Sequence, residues 1–160
     1  MYFYFKFEAM DYTFDITLKT RAIFFEVLEN LSLEKLTTIP NGFSNTIFWN
    51  IKHVVITQQL LIYGLSGLPL AVSEAETQEY RKGSKPLSTI TSEDIQLLKK
   101  QLFSTLEQTK RDYTKHLFKT YSEYTVSTKS TLKNIEDALE FNNFHEGIHL
   151  GYILAMKKVI

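Results

Sequence analysis

The sequence contains no cysteine among its 160 residues. It therefore has no disulfide framework, no thiolate nucleophile and no cysteine-ligated zinc or iron–sulfur site. An excess of one charge is also missing, since Lys plus Arg and Asp plus Glu are 18 each. That removes the simple case for a nucleic-acid binder, which needs surplus cations to displace phosphate counterions. It gives no support for anchoring on anionic lipid either. Long apolar runs are absent: the best window, residues 47–65, is interrupted by Asn50, Lys52, His53, Gln58 and Gln59. The opening MYFYFKFEAM is aromatic but lacks a basic leader, an aliphatic core and a small-residue cleavage site, so it reads as neither signal peptide nor anchor. A cytoplasmic protein with no nucleic-acid or membrane partner is expected. With Met10 as a start, residues 1–9 read as an extension ahead of a single domain, 10–160. What is present is 44% apolar and 22% charged residues, ordinary for a globular domain, and four histidines to carry ligand chemistry.

Periodicity points to an all-α four-helix bundle. The first helix runs from about Asp11 to Leu31, with Phe14, Leu18, Ile23, Phe24, Val27, Leu28 and Leu31 recurring mostly every three or four positions. Ile39-Pro40-Asn41-Gly42 is a turn signal. The second helix starts with Ser44 or Asn45 as N-cap and ends near Tyr63, before Gly64 and Gly67-Leu68-Pro69. A polar stretch from Pro69 to Ile90 shows no clear period and reads as a long crossover loop between helices 2 and 3. Thr91-Ser92-Glu93-Asp94 has capping-box spacing, and Ile95, Leu98, Leu102, Leu106, Thr109, Tyr113 and Leu117 form the stripe of the third helix. Tyr121 to Thr131 reads as a loop with a short extended piece. The last helix spans about Leu132 to Lys157. The short link between helices 1 and 2 favours antiparallel neighbours.

The sharpest motif is His145-Glu146-Gly147-Ile148-His149. Histidines at i and i+4 lie about 40° apart on one helix face and can share one metal ion. The string also matches the zinc-peptidase HExxH signature. Peptidases of that kind take a third ligand from downstream, however, and here the chain after His149 holds no His, Asp or Glu. The third ligand must come from upstream. His53, in mid-helix on the face that carries Thr46, Trp49, Asn50, Thr57 and Leu60, is the best candidate. His116, beside Lys115 near the end of the third helix, reads as a rim histidine. A ferritin-like di-iron site is a weak third option, because Asn50 and Asn142 stand where carboxylates are needed ahead of His53 and His145, and Glu146 ahead of His149 gives one half-motif only.

Asn45-Thr46-Ile47-Phe48-Trp49-Asn50-Ile51-Lys52-His53 resembles the second helix of the DinB-like superfamily, and Phe144 to Tyr152 resembles its fourth. Leu31 to Leu36 and the Ile39-Pro40 turn fit the link between its first two helices. The resemblance covers roughly Met10 to the C-terminus. It implies a four-helix bundle holding a divalent metal, zinc or nickel, on His53, His145 and His149. It also implies a homodimer acting on a small-molecule substrate. Characterised branches include YfiT-like bacillithiol transferases and mycothiol-dependent maleylpyruvate isomerase.

Three neutral imidazoles leave such an ion its full charge and an open position, where a bound thiol or water is brought toward ionisation. A low-molecular-weight thiol would have to come as co-substrate, since the chain has none. Tyr152 and Asn142 lie about 40° from the centre of the histidine pair, and Glu146 about 80°. Glu146 reads as a general base, as an acceptor behind a ligand, or as a salt-bridge residue. Asn50 and Thr57 flank His53 and read either as holders of imidazole N–H groups or as polar groups bonded across the bundle. Trp49 reads as core or as pocket wall, and Gln58 and Gln59 as an interface. The expected function is a metal-dependent thiol S-transferase or hydrolase. The alternative is a non-catalytic, metal-stabilised binding module.

Overall fold

The computed structural model describes residues 2–85 and 89–160, with side chains from Met10 onward. Among these residues the elements in chain order are α1 (Tyr2–Asn30), α2 (Leu33–Thr37), α3 (Ile47–Gln59), α4 (Glu74–Tyr80), α5 (Ser92–Thr114), β1 (Tyr124–Thr125), β2 (Thr131–Leu132) and α6 (Ile135–Met156). A π-helical turn, Leu60–Gly64, continues α3. The fold is all-α, with one small antiparallel hairpin that pairs Tyr124 with Leu132 and Thr125 with Thr131. No described helix is long and apolar enough to cross a membrane.

Local chemistry sets the helix ends. Thr46, not Ser44 or Asn45, caps α3 by accepting from the Trp49 amide. Thr91 and Asp94 form the expected reciprocal capping box on α5. Asn134 caps α6, which begins at Ile135 because Thr131–Leu132 is held in the hairpin. Helix α1 begins at Tyr2 where the apolar pattern placed its start at Asp11. The reading of residues 1–9 as an extension rests on side chains outside the described residues.

Helices α1, α3, α5 and α6 make the bundle. Helix α1 packs on α5 and α6, and α3 packs on the same two. Thus α1 and α3 lie across a diagonal rather than side by side as the short link suggested. That link is bridged by α2, whose Leu36 is fully buried. The stretch read as one long loop contains α4, capped by a Ser73–Glu76 box. Lys52 of α3 pairs with Glu76, binding α4 to the bundle. Glu76 loses hydration by burial, yet hydrogen bonds from Lys52, Gln101 and the Ser73 amide more than offset it and hold its pKa down at about 2.

Two apolar clusters fill the interior. One joins Phe24, Val27 and Leu28 of α1 to Ile51 and Val55 of α3, Leu98 and Leu102 of α5, and Ile153 and Met156 of α6. The other joins Met10 and Phe14 to Leu61, Ile62, Leu106, Val126, Leu132 and Leu139. Between them, along the same helices, lie the buried polar side chains Thr17, Arg21, His53, Thr105, Asn142 and Glu146. This belt corrects two sequence readings. The buried face of α1 runs Met10, Phe14, Thr17, Arg21, Phe24, Leu28, while Leu18 and Ile23 are exposed, because Arg21 finds its counter-ion inside. Gln58 and Gln59 are not at an outer interface: Gln58 donates to the Thr109 hydroxyl, and Gln59 accepts from the Ala71 amide.

Candidate metal centre

The belt brings three histidines together. His53 comes from the middle of α3, and His145 and His149 come from one face of α6. Each offers a ring nitrogen, and the three nitrogens lie within 4.8 Å of one another. The ring centroids of His53 lie 5.1 Å from His145 and 4.9 Å from His149. Spacing of i and i+4 puts the α6 pair one turn apart, with Nε2 to Nε2 at 3.2 Å.

Two of the rings have their tautomer fixed. His53 Nδ1 lies 2.6 Å from the Tyr80 carbonyl oxygen, which can only accept, so Nδ1 carries the proton and Nε2 keeps a lone pair. His149 Nδ1 lies 2.8 Å from Asn50 Oδ1. The Asn50 amide is oriented by its own donation to the Thr46 carbonyl, so its oxygen faces the ring and His149 Nε2 is likewise a lone pair. His145 Nδ1 is buried without a hydrogen-bond partner. All three rings are held neutral. Burial, then the nearby His149 and His53, push His145 down to about 2; burial and His53 push His149 down to about 4; burial lowers His53 as well.

This donor set fits a metal ion. Lone pairs of neutral imidazoles converge from two helices with no protein donor sufficient to occupy them all. Two ligands about 2.0–2.1 Å from one ion at a tetrahedral angle stand roughly 3.3–3.4 Å apart, close to the 3.2 Å between His145 and His149. The Thr57 hydroxyl lies 3.2 Å from His53 Nε2, beside the same point.

The chain's relationships agree with this geometry. A family model described as DinB superfamily matches residues 17–153. The chain belongs to the DinB superfamily. No curated protein matches it. The DinB-superfamily match takes in all three histidines, the capping residues Thr46 and Asn134, and the belt residues Arg21 and Glu146.

The other candidate residues are distributed unequally around this DinB-superfamily site. Asn50 touches His149 rather than its helix neighbour His53, while Thr57 touches His53. Trp49 stacks on the His53 ring at 4.6 Å and 9° and donates from Nε1 to the Ser84 hydroxyl; it is both core and cavity wall. Tyr152 is 55% exposed and packs edge-on against Phe43. Glu146 turns toward α1, and Asn142 bonds to Glu146 rather than to a histidine. Glu146 is fully buried and takes two hydrogen bonds from Arg21, at 2.9 and 3.2 Å, plus one from Asn142 at 2.8 Å. Neither residue lines a cavity at the histidines, so Glu146 is not placed to act as the base there.

Two cavities meet the cluster. The larger, about 480 Å³, reaches His53, Thr57 and His145 and is walled by Leu60, Leu61, Leu65, Val126 and Phe141. The π-helical turn supplies Leu60, Leu61 and Gly64 to this wall, and the hairpin supplies Tyr124, Val126 and Ser127. The smaller, about 280 Å³, is lined by Asn45, Trp49, Asn50, His149 and Tyr152. Because Asn50 lies on the Nδ1 side of His149, this second cavity sits behind that ring, and the larger one, which Thr57 also lines, opens on the Nε2 side of His53.

Sequence reasoning missed Tyr80, Arg21 and the hairpin wall. The Ser73-x-x-Glu76 spacing was the available signal for α4 and hence for Tyr80. No local pattern marks a carbonyl as an acceptor for a distant ring.

Proposed function

We propose that the chain is a metal-dependent enzyme that holds a divalent ion, zinc or nickel, on Nε2 of His53, His145 and His149 and transfers a low-molecular-weight thiol to a small electrophile. The observation that carries this reading is the convergence of three neutral rings, two of which, His53 and His145, stand at the floor of a 480 Å³ cavity with apolar walls. A binding module stabilised by a metal needs the rings but not the cavity. Three imidazoles without a carboxylate suit zinc or nickel and leave the ion its charge. The ion supplies Lewis acidity that brings a thiol or water toward ionisation near neutral pH.

The chain's own groups do the rest. Tyr80 and Asn50 hold the Nδ1 protons, so both rings present their lone pairs without rearrangement. Leu60, Leu61, Val126 and Phe141 exclude water from the reacting atoms. Thr57 offers a hydroxyl at the floor to hydrogen-bond the incoming sulfur or its proton. The sulfur comes with the co-substrate, as the chain has no cysteine. Its sulfur bonds the electrophilic carbon, and the leaving group departs with the bonding pair and takes up the thiol proton. Tyr152 lines the rear cavity together with His149 and packs on Phe43. Glu146 and Asn142 act by fixing α6 against α1.

Elemental analysis of tag-free protein, followed by a thiol-plus-electrophile screen, tests this reading. About one divalent ion per chain and strictly thiol-dependent turnover are expected. Thiol-independent ester hydrolysis would move the assignment to a hydrolase. Full loading with neither activity would favour the binding-module reading. We also propose a homodimer, supported by the zero net charge and by the exposed Phe144, Ile148 and Tyr152 on α6; a monomer mass by light scattering at micromolar concentration would reject it.

A further inference from the structure

The larger cavity is polar at both ends and apolar between them. Its floor carries His53, His145 and the Thr57 hydroxyl. Its middle is Leu60, Leu61, Leu65, Val126 and Phe141, with Leu61 and Val126 buried. At its mouth stand Lys82, Tyr124 and Ser127, all exposed. Among the described residues no aspartate or glutamate lines the cavity, and Lys82 has no ion-pair partner.

Three lysines elsewhere are held by acids. Lys52 pairs with Glu76, Lys99 with Glu29 and Lys110 with Asp11. Lys82 is an exposed cation in no ion pair among the described residues, set at the rim of an apolar cavity in a chain with as many acids as bases. An apolar ligand alone would gain nothing from it. A neutral polar ligand would lose hydration in the middle section without a partner there. A ligand with an anion at one end and an apolar spacer meets every part of the lining.

We propose that this cavity takes an amphiphilic carboxylate: its reactive head reaches the histidines, an aliphatic or aromatic spacer fills the middle, and its carboxylate pairs with Lys82 at the mouth. The assignment of the head rests on the metal-centre reading; the pairing with Lys82 does not. The rim contact is solvent-exposed, so it sets selectivity more than total affinity.

Isothermal titration with 8-mercaptooctanoate and 8-mercaptooctanol separates the two parts. Both present a thiol to the floor, and they differ only at the end that meets Lys82. The acid is expected to bind the zinc-loaded protein roughly three- to fivefold more tightly than the alcohol at low salt. Lys82→Met should abolish that preference and Lys82→Glu should reverse it, with the alcohol's affinity unchanged in both. Metal-free protein should bind both more weakly and keep the preference. Acid and alcohol binding equally to the unsubstituted protein, or not at all, or a preference that survives Lys82→Met, overturns the proposal. Affinities that do not respond to zinc, with the Lys82 effect intact, overturn the metal-centre reading and leave the carboxylate pairing standing.

Discussion

Two turns of α6 carry two polar clusters on adjoining faces, each turned to a different helix. Glu146 and Asn142 face α1, where Arg21 meets the carboxylate at 2.9 Å with both side chains fully buried. The remaining guanidinium N–H groups donate to the Leu102 carbonyl and the Thr105 hydroxyl. His145 and His149 face α3, where they meet a third ring and no counter-charge. The first cluster answers its own charge inside the protein. The second leaves lone pairs pointed at one another beside a cavity. Both lie between the two apolar clusters, with Arg21 and Glu146 fully buried and His145 and His149 half-buried. What distinguishes them is charge: Arg21 answers the Glu146 carboxylate, although Glu146 Oε2 and Asn142 Oδ1 keep no hydrogen-bond partner among the described residues, whereas three uncharged rings converge on one point.

The ion pair should give the largest effect. Arg21→Ala leaves a carboxylate buried with no cation, and should destabilise the fold by about 3–5 kcal/mol in urea unfolding. The double change Arg21→Met with Glu146→Leu should recover most of that, because an apolar pair needs no counter-charge. A double variant as unstable as Arg21→Ala would mean that the pair does more than answer its own charges. On the other face, zinc in a thousandfold excess over Kd should raise stability by about 4 kcal/mol. His149→Ala should lose this gain while Arg21→Met with Glu146→Leu keeps it.

The pH response sharpens the contrast. In metal-free protein the histidines have folded pKa values below the usual value of about 6.5. The unfolded chain therefore binds more protons below that pH, and stability falls as pH falls. The loss should be on the order of 2 kcal/mol for each of His145 and His149 between pH 7 and pH 5. It should shrink in His145→Phe. A stability flat over that window would show that the rings are not held neutral. The smallest effect expected is from Asn50→Ala, which removes the Nδ1 acceptor of His149 without touching a ligand. Zinc affinity should drop about ten- to a hundredfold by competition with a chromophoric chelator, and metal-free stability should change less than in Arg21→Ala.

The same contrast governs what the sequence revealed. The HxxxH pair and His53 are legible because ligand spacing on a helix obeys the helical period, and the resemblance to the DinB superfamily rests on those residues. The Thr91–Asp94 box is legible because capping is local. Arg21 is not: a lone arginine in an amphipathic helix reads as solvent-facing until its partner, 125 positions away, is known. Leu18 and Ile23 were assigned inward for the same reason. Helix α4 escaped because only Thr77 and Tyr80 of its seven residues are buried, too few to show a period. Diagonal placement of α1 and α3 depends on packing that no single helix encodes.

The proposed centre binds one ion through Nε2 of His53, His145 and His149 together. X-ray absorption on the zinc-loaded protein reads this directly from the imidazole scattering around the metal. Three imidazoles at about 2.0–2.1 Å are expected, falling to two in His53→Ala. Two or fewer in the unsubstituted protein, or an unchanged spectrum in His53→Ala, would contradict it.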